Sequence, residues 1–182
     1  MSNIKSKLRE AAMRLRIFNK AAFGLVVPQW AGSVAPEARL YAKVIRADGS
    51  EKDLGLVSTK VVTTAFVNYL VDALQSSTAA FADFRFHDSG TGVGAEAVGD
   101  TTLGTKVESG RATGTQTEGA SANIYRSVGT ITYTGTHAIT EHGLFNAATA
   151  GILMDRSLFA AINVIADDSI QFTYELTVPA GS

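Results

Sequence analysis

Cysteine is absent from the 182 residues. Disulfides, thiolate metal centres and cysteine nucleophiles are therefore excluded. Histidine is scarce: only His87, His137 and His142 are present, so imidazole-based metal chemistry has few ligands to draw on. No apolar run reaches the roughly 18 residues that a membrane-spanning helix needs. The segment AAFGLVV, residues 21–27, follows a basic stretch but is at the short limit for the apolar part of a leader and runs into Pro28, so no signal peptide is expected. No G-x-S-x-G, H-E-x-x-H or P-loop pattern occurs. Trp30 is the only tryptophan, which leaves little for a sugar-stacking surface.

What is present belongs to a folded chain. Apolar residues make up 46% and charged residues 18%, a balance too apolar for disorder. Such a length suffices for one domain with a core and an appended arm. The net charge of −1 conceals an asymmetry. Residues 1–24 carry Lys5, Lys7, Arg9, Arg14, Arg16 and Lys20 against Glu10, which is +5; the remainder has 10 basic and 16 acidic residues, which is −6.

The basic end reads as an amphipathic helix over 3–22. Ile4, Leu8, Ala11, Leu15, Phe18 and Ala22 recur at spacings of three and four and line one stripe, with Lys5, Arg9, Arg16 and Lys20 on another face. Gly24 and Pro28 then break the pattern into an extended linker. This divides the chain into an arm and linker, 1–36, and a body, 37–182. Without interleaved aromatics the arm has no base-stacking platform, and neither sequence-specific nucleic acid nor membrane is the expected partner. The expected partner is another subunit, with Ile4, Leu8, Leu15 and Phe18 as the docking stripe and Arg9 and Arg16 as complementary charges.

The body is mostly strand-like. ARLYAKVIRA, residues 38–47, alternates with Leu40, Ala42 and Val44 on one face, and Asp48-Gly49 predicts a type I′ hairpin turn into EKDLGLVS. Residues 63–75 predict a helix capped by Thr63 or Thr64, with Phe66, Tyr69, Leu70, Ala73 and Leu74 as its core face. Further strands are expected in NIYRSVGTITYTG, HAITEHGLFNA and ILMDRSLFAAINV. In SIQFTYELTV, Ile170, Phe172, Tyr174, Leu176 and Val178 alternate with polar residues, as in a half-buried antiparallel strand. The expected fold is α+β and mainly β: an antiparallel β-sandwich with one packed helix and an N-terminal helical arm. Phe66, Leu70 and Leu74 are expected against the sheet face that carries Phe172, Tyr174 and Leu176.

One stretch resembles a nucleotide site. Gly90, Gly92 and Ala95 satisfy G-x-G-x-x-A after a short apolar run. A dinucleotide loop must open a helix whose N–H groups face the pyrophosphate, inside a βαβ unit. Here Gly99, Thr101, Thr102 and Gly104 follow, which is poor helix, and residues 99–121 read as a long exposed loop or ribbon. The glycines are expected to serve a turn that needs unusual φ. His87-Asp88 and Glu141-His142 have the composition of metal ligands or acid/base pairs but are expected to be structural. Asp167-Asp168 is expected in a turn before the last strand rather than at a calcium site. No catalytic residue, cofactor or metal is assigned.

Several segments in fixed order carry a resemblance. TKVVTTAFVNYLVDALQ, the H-x-x-G-T-G…A-E-A…D-T-x-L pattern from His87 to Leu103, the I-T-E-H-G-L-F run from Ile139 to Phe145, and the closing DSIQFTYELTVPAG lie between residue 59 and the C-terminus. In this order the chain resembles a family of tailed-bacteriophage virion proteins, usually encoded among head and tail structural genes. The resemblance implies a β-rich structural domain in which Ile139, Leu144 and Phe145 are buried and Gly143 bends the strand. It implies a non-enzymatic virion component, foremost a decoration or cement protein on the capsid surface, assembled in the host cytoplasm. Such a protein would bridge major capsid protein subunits, as a homo-oligomer with a trimer favoured. The alternatives are a tail, neck or baseplate subunit and, from a different class, a host-adhesion or carbohydrate-binding module.

Overall fold

The computed structural model describes residues 36–59, 61–75, 83–108 and 110–179. The amphipathic arm predicted for 3–22 lies outside them. So do Ile4, Leu8, Arg9, Leu15, Arg16 and Phe18.

The described residues are mainly β, with one helix and two antiparallel sheets. The elements are β1 (Glu37–Ile45), β2 (Glu51–Ser58), α1 (Thr64–Gln75), β3 (Phe86–Gly90), β4 (Ala112–Thr113), β5 (Thr115–Glu118), β6 (Ile124–Thr132), β7 (His137–Phe145), β8 (Leu153–Val164) and β9 (Ser169–Thr177). The first sheet has the order β2-β1-β9-β6-β5 and the second β4-β3-β7-β8. The helix is too short to cross a membrane.

Alternation determines the first sheet. β9 lies between β1 and β6, and its Ile170, Phe172, Tyr174 and Leu176 are buried. Their directly opposed partners on β1 are Val44, Ala42, Leu40 and Ala38, all buried too. Large residues on the central strand thus meet smaller ones beside them on one face. Ile139, Leu144, Met154, Ile162 and Val164 of the second sheet join the same apolar cluster. Val178, expected to continue the alternation, is 45% exposed, because β9 ends at Thr177.

The β1–β2 turn differs from the expected type. Gly49 donates to Arg46 O at 2.9 Å, so Ala47 and Asp48 are the central residues. Only Gly49 of this turn has positive φ, +83°. The glycine occupies the left-handed position that follows the turn, not its second corner.

Helix α1 starts where expected. Thr63 Oγ1 accepts from Phe66 N at 3.2 Å, as an N-cap, and donates to Leu153 O. Thr63 N–H donates to Met154 O at 2.9 Å, which fastens the helix start to β8. The core face is narrower than expected. Phe66 and Ala73 are buried and Phe66 meets Phe84 edge-on at 5.1 Å, but Leu70 is half-buried and Leu74 is 73% exposed. Leu74 therefore does not pack on the sheet. Thr63→Ala is expected to cost about 1–2 kcal/mol through the lost cap, whereas Leu74→Ala should stay within about 0.5 kcal/mol. Urea denaturation of both variants tests this; equal losses would mean that the helix is rotated from the orientation described.

Of the loop and ribbon expected for 99–121, the described residues fit the ribbon over part of their length. They contain β4 and the edge strand β5, and Val107 N–H donates to Ser89 O at 3.2 Å. Gly143 is not the bend of β7. The register shifts fall between Ile139 and Glu141 and between Leu144 and Phe145, while Gly143 pairs regularly with Arg156. A Cβ at Gly143 would stand 2.9 Å from Leu103 Cδ2 and 3.0 Å from Leu153 and Phe145, so the missing side chain admits the loop above it. Ile139, Leu144 and Phe145 are buried, as the resemblance implies.

Candidate functional site

Adjacent residues on a strand point to opposite faces, and this separates both pairs singled out in the sequence. On β3, His87 lies on one side and Asp88 on the other; on β7, His142 and Glu141 divide likewise. Pairing of β3 with β7 then builds one polar cluster on each face.

On the face that meets the first sheet, His87 Nδ1 lies 3.0 Å from His142 Nε2, and His87 Nε2 lies 2.8 Å from Ser127 Oγ on β6. The His142 ring stands over Phe172 of β9 at 4.5 Å. Room for the His87 ring comes from Gly114 and Gly129, where a Cβ would overlap it. Both histidines are 0% exposed. Burial drives the His87 pKa down to about 3. Burial, reinforced by the neighbouring His87, holds His142 well below its ordinary value. Both rings are therefore neutral at pH 7. If His142 Nε2–H donates to His87 and His87 Nε2–H donates to Ser127, the unpartnered His142 Nδ1 is a bare acceptor rather than a stranded N–H. Nearby on the strand ladder, Asp155 is fully buried, and burial raises its carboxyl well above the usual range. It accepts from Ser157 Oγ at 2.6 Å.

On the opposite face, the glycine loop does hold an anion, and the anion is the protein's own Glu141. Its Oε1 accepts from Gly92 N at 3.0 Å and Thr105 N at 2.7 Å. Its Oε2 accepts from Gly104 N and from Arg156 Nε, both at 2.9 Å. Burial pushes this carboxyl up, but the N–H groups of Thr105, Gly104 and Gly92 together with Arg156 outweigh it and hold the group below its ordinary value. Arg156 extends the network to Asp100 at 2.9 Å and to Gly94 O at 3.1 Å.

This corrects the expectation that the loop glycines serve unusual φ. Gly90, Gly92 and Gly94 are not among the residues with positive φ. Gly90 and Gly92 are small because the Glu141 carboxylate and the backbone of Thr105 occupy the space a Cβ would take. The loop binds a carboxylate as a phosphate loop binds phosphate, through backbone N–H groups, but no helix follows and the seat is filled.

The remaining candidates are structural as well. Asp88 pairs with Lys106 at 2.9 Å and Arg111 at 3.3 Å, and the Arg111 guanidinium lies 3.3 Å from the Phe145 ring centroid. Asp168 accepts from Ala47 N and Ile165 N at 3.0 Å each and pairs with Arg46 at 2.7 Å, closing the turn before β9. Asp167 adopts positive φ, 68°, within that turn. Among the described residues no group of three or more His, Asp or Glu is placed to hold a metal ion. His87, His142 and Glu141 are all fully buried.

Sequence reasoning missed Arg156, Asp155, Ser127 and the two glycines around His87. One signal was available: Asp155-Arg156 sits inside an otherwise apolar strand, where a charge needs a partner. No protein-family model, curated protein or solved structure matches this chain.

Proposed function

We propose that the chain is a non-enzymatic structural protein of a tailed-phage virion, a decoration or cement subunit that binds across major capsid subunits as a homo-oligomer, with a trimer favoured. In this reading the two sheets form a sandwich and the basic N-terminal segment anchors it to neighbours. The observation that carries the proposal is the fate of the polar residues. The loop that resembles a nucleotide fingerprint is filled by Glu141, the histidines His87 and His142 bond each other, and Asp88 and Asp168 are paired with Lys106, Arg111 and Arg46. Such a body presents a stiff scaffold rather than a reactive cleft. The order of phage-like segments from residue 59 onward supports the same role, and cement subunits act by adding buried contact area across subunit boundaries.

The test is to add the purified chain to particles that lack it and to map its position by cryo-electron microscopy. Saturable binding at capsid subunit boundaries is expected. Density confined to the tail, neck or baseplate, or no binding, would overturn the cement role.

A further inference from the structure

We infer that protonated Asp155 completes one hydrogen-bond chain through the interior, in which Tyr174 donates to Asp155, Asp155 to Ser157, Ser157 to His142, His142 to His87 and His87 to Ser127. The inference is independent of the virion reading.

Two parts of this chain are in place. His87 lies 3.0 Å from His142 and 2.8 Å from Ser127, and Ser157 Oγ lies 2.6 Å from Asp155 Oδ1. Beside them, His142 Nδ1, Asp155 Oδ2 and the Tyr174 hydroxyl are buried with no hydrogen-bond partner among the described residues. Buried polar groups are rarely left so, because each costs the desolvation of the group. The register puts these atoms next to the ends they would join. His142 stands directly opposite Ser157. Opposed residues of an antiparallel pair bring their Cβ atoms to about 4.5–5.5 Å, within reach of a hydroxyl and a ring nitrogen. Burial foremost, and then the charge of Asp155, raise the Tyr174 hydroxyl well above its ordinary value, so the two groups stand within each other's field. Tyr174 is in turn the directly opposed partner of Ser127. The chain thus leaves the first sheet at β9, passes through β8, β7 and β3, and returns to the first sheet at β6, the strand beside β9.

The count of donors fixes its direction. A neutral histidine has one donor and one acceptor nitrogen, and a serine has one hydroxyl hydrogen. When Ser157 donates to His142 Nδ1, His142 donates from Nε2 to His87 Nδ1, and His87 donates from Nε2 to Ser127. Ser157 then has nothing left to give Asp155 and can only accept from it, so Oδ1 carries a proton across the 2.6 Å contact. Oδ2 is left as an acceptor, and the Tyr174 O–H is the donor at hand. One orientation therefore serves all three unpartnered atoms. An ionised Asp155 would instead claim the Ser157 hydrogen and strand His142 Nδ1. The surroundings favour the neutral form: burial raises the Asp155 carboxyl well above the usual range, Ser157 opposes this, and the Glu96 carboxylate adds to it. Burial keeps both rings neutral, with His87 adding to the effect at His142. Tyr125, which also acts on Tyr174, has its own hydroxyl raised by burial. Links in such a chain polarise one another, so the six residues form a latch between the sheets whose members depend on each other.

The test uses the full chain, labelled with 15N, at pH 7. Long-range 1H–15N correlation spectra read the tautomer of each ring. Nε2–H is expected for both His87 and His142, with the His142 Nδ1 resonance upfield of a bare acceptor. Ser157→Ala should return that nitrogen to the bare-acceptor position. Thermal melts supply a second reading. Tyr174→Phe should lower the melting temperature by at least about 2 °C, because it strands Asp155 Oδ2; a hydroxyl with no partner would be lost without cost. Asp155→Asn should stay within about 2 °C of the parent, since the amide NH2 can donate to Ser157 and the amide oxygen accept from Tyr174. Asp155→Ala should fall further. The chain is overturned by an Nδ1–H tautomer at His142, by a His142 Nδ1 resonance that Ser157→Ala leaves unmoved, by a Tyr174→Phe variant as stable as the parent, or by equal losses for Asn and Ala at position 155. The tautomers are read on the parent chain and decide the matter even where a variant fails to fold.

Discussion

Replacing Glu141 with alanine is expected to cost about 3–5 kcal/mol, the loss typical when one partner of a buried ion pair is removed. The carboxylate is 0% exposed and accepts from three backbone N–H groups and from Arg156, whose side chain is 6% exposed. In the alanine variant Gly92, Gly104 and Thr105 keep their N–H groups in the same place without an acceptor, and an unsatisfied buried donor costs about 1–3 kcal/mol. Arg156 retains Asp100, so its charge is only partly stranded. Glu141→Gln should not restore stability, because its NH2 would face N–H donors on one side or the other. Small anions supply the discriminating measurement. Formate or acetate should raise the melting temperature of the alanine variant and leave the parent unmoved, since only the variant has an empty anion seat. Gly92→Ala should destabilise through the same seat, because its Cβ would overlap Oε1. A loss under about 1 kcal/mol for Glu141→Ala, or no anion effect, would mean that the loop is held by something else.

Acidification below neutrality should destabilise the protein before its carboxylates titrate. The His87 pKa is held down at about 3 and His142 lies well below its ordinary value, whereas an unfolded histidine titrates near 6.5. Below about pH 6.5 the unfolded chain therefore binds protons that the folded chain refuses. The stability these groups contribute is complete above that pH and is lost as the pH falls toward the folded value. Asp155 works in the opposite direction: its folded pKa is raised, so between the ordinary value near 3.9 and its own the folded state holds a proton that the unfolded chain has released. His87 alone withdraws one proton from the folded state over this range, about 1.4 kcal/mol per pH unit below about pH 6.5; His142 acts in the same direction and Asp155 against it. Glu141 and Asp100, both lowered, add to the loss only as the pH falls further. Asp155→Asn removes the offset and should steepen the slope; His142→Asn should flatten it. Denaturant titrations at half-unit intervals from pH 7 to 4.5 decide the matter, and a flat profile would refute it.

Much of the fold was legible because its signals are local. The alternation of β9 and β1, the position of α1 and the threonine that caps it are readable within a few residues. Helix orientation was not legible to the same degree. Helix α1 is apolar on two sides, Phe66, Leu70 and Ala73 on one and Val67, Val71 and Leu74 on the other, and periodicity alone assigned Leu74 to the wrong one. The type of the β1–β2 turn also escaped, since Asp-Gly serves two turn geometries and the hydrogen bond to Arg46 selects between them.

The polar clusters were decided by tertiary structure. The sequence by itself determined that the pairs His87-Asp88 and Glu141-His142 exist, and that each pair, if on a strand, must be split between two faces. It did not determine that His87 meets His142 across 55 positions or that Glu141 reaches back to Gly92 across 49. Those contacts depend on the register of β3 against β7, and a slip of one residue would exchange the two faces. Register is set by the burial of Leu144, Phe145 and their neighbours over the whole sheet, a sum that no short window of sequence contains.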